Sequence, residues 1–389
     1  MLNQLEKYGS VRSFTETCMD GALALAAEGY NLEGREKGYL LAFYPEDKRN
    51  PFQHMLYASA FQNGFACFPV GRLDDVALAP DGVKLILHLH WVHRIFDTVE
   101  TAAAAKAASW QFLNLLDNIQ SSGHKLLWTI HNRVSHESVF EEEEYSLRSL
   151  IAARADFLHI MNPESASLCA PHYSVPADKT FIVPHPSYTG VYSNYMSRST
   201  ARFQLGLGEN ETVFLLFGKM LPQKGAREFL ARLDSLQAAF DGDARILLVG
   251  RSSTPEFTEE ILGLTAGRPD VLSVRSFVDD QNVQLYFQAA DVVMCPYING
   301  LNSGVLMTAA SFGKPIVTSR DFKAVFEGIE DHIAFFDTGP GMKGVVQGSL
   351  KAAATAKDPE ACNTIKAWAE SRQPALVSNR FFEALRSRL

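Results

Sequence analysis

Two stretches of the sequence place glycine, lysine or small polar residues between a predicted strand and a predicted helix, where they could hold a phosphate group. In the first stretch, "FGKMLPQKGAREFL" (217–230), Gly218 permits a tight turn, and Lys219 and Lys224 stand in the loop that follows. Two ammonium groups beside a helix N-terminus can neutralise a diphosphate. The alternative interpretation is two solvated lysines on a surface loop.

The second stretch, "NGLNSGVLMTAASFGKPIV" (299–317), opens a predicted helix with Asn302, Ser303 and Gly304 and places Thr308 one turn further on. Small residues at a helix N-terminus let an anion approach the backbone amides. Because ligands of open parallel sheets bind at the carboxyl ends of the strands, we expect both turns to line one anion-binding site.

Residues between these two turns extend the predicted site. Arg251, in "LLVGRSSTP", follows a predicted strand and could reach a phosphate or a base edge, but an exposed loop arginine fits the pattern nearly as well. The main chain around Phe277 could hold a nucleobase edge. Asp279 and Asp280 fit helix N-caps better than metal ligands.

The first half of the chain carries candidates for a general base. "WTIHNRVSHE" (128–137) ends a predicted strand with His131, and His136 and Glu137 follow in the loop. One of these three side chains could take a proton near neutral pH. Structural histidines and a helix-capping glutamate are the alternative.

Other histidines have two interpretations. His88 and His90, in "HLHWVH", share one face of a predicted strand and could bind a metal. No further ligand cluster accompanies them, so we predict no metal site. His185 and Tyr188, in "VPHPSYTGVY", either face a ligand cleft or pack the hinge between domains.

Strands alternate with amphipathic helices along the chain, which predicts βαβ units and parallel sheets. With 389 residues, 47% of them hydrophobic, the chain is long enough for two ordinary domains. We predict an α/β fold of two doubly wound, Rossmann-like domains that face each other across a cleft. The predicted boundaries are a helical extension (1–36), an N-terminal domain (37–200), a C-terminal domain (206–360) and C-terminal helices (361–389). The pattern also predicts a linker at 186–210 and a solvated helix start at "EEEE" (141–144).

The composition argues against several classes of protein. A formal net charge of −8 disfavours nucleic-acid binding. The five cysteines are widely spaced and form no CxxC pair, which disfavours a zinc site or disulfide framework and favours a cytoplasmic location. No run approaches the roughly 18 apolar residues of a membrane-spanning helix, so we expect none.

The motifs, taken together, resemble those of the GT-B glycosyltransferases. "FGKMLPQKG" is similar to the phosphate-binding turn of that superfamily, with Lys219 in place of arginine. More closely, the chain resembles the bacterial β-1,4-mannosyltransferases of exopolysaccharide assembly, of the xanthan-pathway type. The matching segments occur in the same order between residues 50 and 317 and are "NPFQHMLY", "HLHW", "TIHNRVSHE", "PHPSYTGVY", "FGKMLPQKG", "LLVGRSSTP" and "LNSGVLMTAASFGKPIV".

The resemblance implies a GT-B fold and an enzyme that moves a sugar from a nucleotide sugar, GDP-mannose in that subgroup, to a glycolipid or polysaccharide precursor. The large retaining GT-B family has two glutamates eight residues apart in the second turn, where this chain has Gly300 and Thr308. This departure favours inversion, with the lysines carrying the charge of the leaving diphosphate and no metal or other cofactor.

Within this resemblance we assign three groups of residues. The base candidates are Glu137 first, then His131 and His136; the donor-binding residues are Gly218, Lys219, Lys224, Arg251, Phe277, Asn302, Ser303, Gly304 and Thr308; the acceptor-side residues are His90, Trp91, His185 and Tyr188. A sugar-nucleotide epimerase of the same fold and a catalytically silent sugar-nucleotide-binding protein remain alternatives.

The acceptors of such relatives are lipid-linked, so we also expect peripheral contact with the inner face of the cytoplasmic membrane. The residues proposed for this contact combine basic and apolar side chains suited to an anionic interface, and they are Arg49, Phe52, Arg94, Ile95 and Phe96.

Overall fold

The computed structural model describes residues 13–33, 37–135, 138–339 and 341–389. This part of the chain divides into two compact units, each built on a six-stranded sheet. The first unit comprises the described residues up to Met161 with Ser165–Val183 and Val377–Leu389, and the second comprises Asn162–Glu164 and Pro184–Leu376.

The first unit is built on an entirely parallel sheet. Its strands are β1 (Tyr39–Tyr44), β2 (Phe65–Pro69), β3 (Leu85–Leu89), β4 (Lys125–Thr129), β5 (Phe157–Ile160) and β6 (Thr180–Ile182), in the spatial order β2-β1-β3-β4-β5-β6. Its helices are α1 (Phe14–Ala27), α2 (Phe52–Leu56), α3 (Ala102–Ser121), α4 (Glu141–Arg154) and α5 (Ser165–Cys169). The strand order changes direction between β1 and β3, and such a switch point is where ligands of doubly wound sheets bind.

The second unit repeats this architecture with another parallel sheet. Its strands are β7 (Thr212–Phe217), β8 (Ala244–Val249), β9 (Val271–Val274), β10 (Val292–Cys295), β11 (Ile316–Ser319) and β12 (Ala334–Phe336), in the order β9-β8-β7-β10-β11-β12. Its helices are α6 (Arg198–Leu205), α7 (Ala226–Leu230), α8 (Leu233–Ala239), α9 (Pro255–Thr265), α10 (Val283–Ala289), α11 (Gly304–Ser311), α12 (Val345–Thr355) and α13 (Pro359–Glu370), while α14 (Pro374–Arg386) begins in this unit and continues into the first. This is the Rossmann strand order, and its switch point lies between β7 and β10.

The strands form because their residues can be buried on both faces. Every residue of β3 is buried, and the strand pairs with β1 on one side and β4 on the other. Parallel strands covered by helices on both sides read as continuous apolar runs. The inner strands β1, β7 and β10 show this pattern, whereas the edge strand β9 has no buried residue. The prediction of two Rossmann-like α/β units is therefore confirmed.

Helix α1 occupies the described part of the segment predicted as a helical extension. Ser13 and Glu16 form a capping box at its start. A Cβ at Gly21 would lie 3.1 Å from the Leu40 side chain, so the helix packs closely against β1 of the first unit. Residues 1–12 and 34–36 lie outside the described part of the chain.

The two units divide the chain at points that differ from the predicted boundaries. Residues 184–200 belong to the second unit, where the Tyr188 amide donates to Ser311 Oγ at 2.9 Å. The segment Val377–Leu389 belongs to the first unit, where Ser378 Oγ accepts from the Ser59 amide at 2.9 Å. Neither connection is visible locally, because the partners are more than 100 residues apart.

Part of the predicted linker is an ordered helix. Helix α6 lies within 186–210 and buries Arg202 completely. The Arg202 guanidinium donates to Asp291 at 2.5 Å and to the carbonyl of Gly208 at 2.7 Å, and these bonds compensate its desolvation. Because the segment is rich in polar residues, its sequence does not indicate that Arg202 is buried.

Strand β9 ends at Val274. Arg275, Ser276 and Phe277 are exposed, so no buried face extends the pairing. None of the described helices combines the length and apolar character needed to cross a membrane.

Candidate active site

The first predicted turn, residues 218–225, which we call the lysine turn, follows β7 at the switch point of the second sheet. Gly218 has φ +95° and Gly250, at the end of β8, has φ +137°, both in the region that favours glycine. A Cβ at Gly250 would lie 2.0 Å from the Gly218 carbonyl oxygen. The two strand ends approach this closely because Gly250 has no side chain.

The same turn packs against the end of β10. Gly225 has φ +69°, and a Cβ there would lie 1.8 Å from the carbonyl oxygen of Pro296. Lys224, immediately before it, places Nζ 5.9 Å from the centroid of the Tyr297 ring. Gly225 thus holds the lysine beside the second predicted turn.

Lys224 lies in an environment that disfavours its charge. Burial lowers its pKa to about 8; attraction to Cys295 opposes this shift, and repulsion from Lys219 adds to it. A dianionic phosphate group in contact with both ammonium groups would remove their repulsion. The electrostatics of the lysine turn therefore favour the binding of an anionic ligand.

The second turn is the N-terminus of α11. Ser303 is its N-cap, and the Ser303 hydroxyl also donates to Tyr297 Oη at 2.9 Å. A Cβ built at Gly218 would lie 3.6 Å from Val305 Cγ2. The structure thus brings the two predicted turns together, and Gly218, Lys219, Lys224, Ser303 and Gly304 lie near one another.

Thr308 is predicted to bind the donor, but its side chain hydrogen-bonds within its own helix. It is 5% exposed, and its hydroxyl donates to the Gly304 carbonyl at 2.8 Å. At the other position where the retaining family has a glutamate, Gly300 is buried. This end of the second sheet therefore has no carboxylate at either position.

Arg251 and Phe277 lie on the exposed edge of the same unit. The Arg251 carbonyl accepts from the Met220 amide at 2.7 Å, so the Arg251 backbone adjoins the lysine turn. Phe277 is 59% exposed, which leaves its ring available for stacking. Asp279 precedes a 3₁₀ turn at Asp280–Asn282, but its side chain makes no capping bond there.

Tyr188 lies at the donor turn, although sequence reasoning grouped it with the acceptor side. A Cβ at Gly304 would be 2.6 Å from Tyr188 Oη, and the Tyr188 ring stacks on Tyr192 with centroids 5.0 Å apart. His185 belongs to the same unit and its Nδ1 donates to the Pro186 carbonyl at 2.7 Å. Both residues lie in the second unit, whereas the predicted boundary at residue 200 placed them in the first, and their role on the acceptor side stays a prediction.

In the first unit, His90, Trp91 and His131 form one cluster at the strand ends. His90 Nδ1 and His131 Nε2 are 3.0 Å apart, and the Trp91 ring stacks on His131 with centroids 4.6 Å apart. Phe52 is 1% exposed and contacts His131 edge-on at 4.9 Å. Its expected role at a membrane surface is therefore wrong, because its ring supports the histidine instead.

The loop after His131 is held by a buried ion pair that sequence reasoning missed. Glu144 Oε1 accepts from the Ser135 amide at 2.6 Å and from Arg148 Nη2 at 2.6 Å. Arg148 Nη1 donates to the Asn132 carbonyl at 2.8 Å. The interpretation of 141–144 as wholly solvated is wrong for Glu144, which is fully buried; the i, i+4 spacing to Arg148 was the available signal.

His136 and Glu137 lie outside the described residues, so their assigned roles stay predictions. Over the described ranges, no three His, Cys, Asp or Glu side chains group closely enough to hold a metal ion. His88 and His90 instead each bond to Tyr57 Oη, at 2.8 and 2.7 Å.

Comparison with known proteins places this architecture in a class. Sucrose-phosphate synthase from Thermosynechococcus elongatus superimposes with a TM-score of 0.66 at 14% identity, over 90% of this chain and 99% of that one. The Anabaena protein HepE, in complex with UDP and glucose, superimposes with a TM-score of 0.64 at 16% identity, over 90% of this chain and all of that one. At such identities the likeness shows the fold, which is GT-B.

Sequence comparison adds the family. Residues 211–347 match the model of the family "Glycosyl transferases group 1". The GDP-mannose:glycolipid 4-beta-D-mannosyltransferase of Xanthomonas campestris pv. campestris is 23% identical over 69% of this chain and 68% of its own length. The D-inositol 3-phosphate glycosyltransferase of Corynebacterium diphtheriae is 28% identical over 48% of this chain and 46% of its own length.

The fold is that of the GT-B glycosyltransferases, and the family match supports a nucleotide-sugar-dependent transferase. Residues 211–347, in the second unit, match the group 1 glycosyltransferase family, and 69% of the chain is similar to the GDP-mannose:glycolipid 4-beta-D-mannosyltransferase.

Proposed function

We propose that the protein transfers mannose from GDP-mannose to a hydroxyl group of a glycolipid or polysaccharide precursor, with inversion at the anomeric carbon. The observation that carries the proposal is the meeting of the lysine turn and the α11 N-terminus at the switch point of the second sheet. Lys219, Lys224 and the amides that follow Ser303 provide positive charge where a nucleoside diphosphate would lie.

Two comparisons support the choice of donor. The relatives named GDP-mannose:glycolipid 4-beta-D-mannosyltransferase align over 69% of the chain, whereas the named D-inositol 3-phosphate glycosyltransferases align over 48% or less. The HepE structures contain UDP, UDP and glucose, or UDP-glucose, which supports a nucleotide sugar as the donor class. Exposed Phe277 and Arg251 are our candidates for contacts with the nucleoside.

The reaction needs a base and a way to stabilise the leaving group. A base removes the proton of the acceptor hydroxyl, and the oxygen forms a bond to the anomeric carbon. The bond from that carbon to the diphosphate oxygen breaks, and the nucleoside diphosphate leaves with the electron pair. Lys219 and Lys224 balance the charge that develops on it. We propose that these groups make a divalent metal unnecessary, so that activity survives EDTA; loss with EDTA and rescue by Mg²⁺ or Mn²⁺ would overturn this.

We rank Glu137 first and His131 second as the base, with His136 third. A partly buried carboxylate can have a raised pKa, which suits a base near neutral pH. His131 is held against Trp91 and His90, so it can also steady the acceptor. Loss of a general base typically lowers the rate by about 10²–10⁴-fold with little change in donor binding. Near-normal turnover in both Glu137→Gln and His131→Ala would place the base elsewhere.

The decisive experiment combines calorimetry with product analysis. A panel of GDP- and UDP-sugars is titrated into the protein, and the bound donor is then incubated with added glycolipid. Transfer with inverted configuration supports the proposal, and retention refutes the inverting mechanism. Epimerised donor without transfer would indicate the epimerase. Binding without hydrolysis or transfer would indicate a silent binding protein, an alternative favoured by the absence of carboxylates at Gly300 and Thr308.

A further inference from the structure

A chain of hydrogen bonds runs through the interior of the first unit and ends at His131. We call it the polar chain, and its members are His131, His90, Tyr57, His88, Thr129, His159 and the carbonyl oxygen of Val183. Its interior is shielded from solvent, since His88, His90, Thr129 and His159 are each at most 1% exposed.

The end at Val183 sets the direction of the bonds. His159 Nε2 is 2.9 Å from the Val183 carbonyl oxygen, which can only accept, so this nitrogen carries the hydrogen. The neutral ring then has an acceptor at Nδ1, to which Thr129 Oγ1 donates at 3.0 Å. Because the Thr129 hydroxyl donates its single hydrogen to His159, it must accept a hydrogen bond from His88 Nε2 at 2.6 Å.

The same argument continues to the other end. His88 Nδ1 is an acceptor, and Tyr57 Oη donates to it at 2.8 Å. Tyr57 must then accept from His90 Nε2 at 2.7 Å. His90 Nδ1 is therefore an acceptor too, and His131 Nε2 donates to it at 3.0 Å. Every hydroxyl gives one hydrogen and receives one, and all four rings are Nε2–H tautomers.

The surroundings keep the polar chain neutral. Burial lowers the pKa of both His88 and His90 well below 6.5, and neighbouring histidines lower it further. Burial raises the pKa of Tyr57 well above 10. The Phe381 ring, from the α14 segment of this unit, stacks on His88 at 5.6 Å and meets His159 edge-on at 5.1 Å. A charge in this interior would cost far more than the neutral arrangement.

We propose that the polar chain positions His131 as its Nε2–H tautomer, so that Nδ1 is the nitrogen that accepts a hydrogen bond or a proton from a substrate hydroxyl. Tyr57, His88, Thr129 and His159 are then positioning residues that act through His90. The part of this inference that concerns a substrate rests on the proposed function, whereas the tautomer assignment does not.

The chain cannot carry a proton out of the site. If His131 accepted a proton at Nδ1, it could pass its Nε2 hydrogen toward His90, but the last acceptor is the Val183 carbonyl, which does not take up a proton near neutral pH. The chain therefore orients His131 and shares its charge, and the proton returns by the way it entered.

The test uses the full-length protein labelled with ¹⁵N-histidine. Long-range ¹H–¹⁵N correlation spectra near pH 7.5 distinguish the two neutral tautomers and the cation, and single His→Gln variants assign the rings. We expect Nε2–H signals for His88, His90, His131 and His159. An Nδ1–H or cationic signal from any of the four would overturn the proposal without the need for a further variant.

Two variants test the direction. Thr129→Val keeps the shape and cuts the chain next to His159, so His159 should stay Nε2–H while His88, His90 and His131 become mixtures of tautomers. Tyr57→Phe cuts it further along, so only His90 and His131 should become mixed. If Thr129→Val leaves all four rings unchanged, the proposed transmission is absent.

A matched control removes a tyrosine hydroxyl elsewhere in the same unit. Tyr30 Oη donates to the Gln62 carbonyl at 3.0 Å, and neither residue belongs to the polar chain. Tyr30→Phe should leave all four signals in place; if it shifts them as Tyr57→Phe does, the effect is general loosening and the proposal fails. In the transferase assay, Tyr57→Phe should lower kcat several-fold at unchanged donor affinity. The expected spectra from a protein without transferase activity would refute the proposed function and leave the tautomer assignment standing.

Discussion

The ring of Phe322 fills the space beside Gly300. A Cβ built at Gly300 would lie 2.7 Å from Phe322 Cζ, which is closer than ordinary packing permits. Gly300 occupies the place where the retaining GT-B family has the first of its two glutamates. The space that a glutamate side chain would need at this position is thus occupied by the Phe322 ring.

We expect Gly300→Glu to destabilise the second unit and not to create a donor contact. The new side chain must displace Phe322, and overpacking of this kind typically costs about 1–3 kcal/mol. Chemical denaturation measures the change, and the double variant Gly300→Glu/Phe322→Ala should lose less stability than the sum of the two single variants, because the two side chains contact each other. The control is Gly263→Glu, because Gly263 lies in α9 with open space at its Cβ. Equal stability of the two single variants would contradict the packing argument.

Lys219→Ala and Lys224→Ala should each weaken the binding of GDP. Each removes a charge-assisted hydrogen bond to the diphosphate, worth about 1.5–3 kcal/mol. Isothermal titration calorimetry gives the affinity directly. Exposed Lys357, at the end of α12, provides the control variant Lys357→Ala, which should bind as the wild type does. Unchanged affinity in both test variants would remove these lysines from the donor site.

The affinity for GDP should fall as the pH rises through about 8. Burial lowers the pKa of Lys224 to about 8, so the free protein loses this ammonium charge in that range and the diphosphate loses a partner. Burial raises the pKa of Cys295 to about 12 and that of Tyr297 well above 10, so neither neighbour titrates in the same window. Calorimetry between pH 7 and 9.5 should show the decline in the wild type, and in Lys219→Ala the decline should move to higher pH because the repulsion from Lys219 is gone. Persistence of the full decline in Lys224→Met would show that another group titrates.

Breaking the Glu144–Arg148 pair should destabilise the first unit strongly. Arg148→Met leaves the buried Glu144 carboxylate without its partner, and the loss of one member of such a pair costs about 3–5 kcal/mol. The double variant Glu144→Leu/Arg148→Met should lose less, because no charge stays buried. Arg320 and Asp337 are 60% and 55% exposed, so Arg320→Met is the surface control, expected within about 1 kcal/mol of the wild type. A similar small effect of Arg148→Met in urea denaturation would show that the pair is not needed to hold the loop.

The first unit should associate with anionic vesicles at low salt. Arg49 and Arg94 are exposed, Ile95 and Phe96 are partly so, and each basic residue near an anionic surface contributes about 1 kcal/mol. Arg49→Glu/Arg94→Glu should therefore reduce co-sedimentation with vesicles that contain phosphatidylserine, and Arg320→Glu in the second unit should not. Failure of the wild type to sediment would refute the proposed contact.

Local patterns in the sequence were sufficient for much of the fold and for the donor turns. Apolar runs alternating with amphipathic stretches predict parallel strands and helices, because each pattern reflects which faces an element can bury. The two turns are also predicted locally. One is marked by a glycine and a lysine directly after a strand, and the other by small residues directly before a helix. The two-residue period of a strand also predicts that His88 and His90 point to the same face of the sheet. Both side chains do bond to Tyr57.

Only the tertiary structure determines which distant residues are in contact, because local sequence patterns do not specify such contacts. Phe322 fills the side of Gly300, Tyr188 reaches Gly304 from a segment assigned to the other domain, and Glu144 is buried although three neighbouring glutamates are not. The polar chain joins residues 24 or more positions apart, and its direction depends on one carbonyl oxygen at Val183. Strand periodicity specifies the face of a side chain, whereas its hydrogen-bond partner is set by strand order and register, which exist only once the sheet has formed.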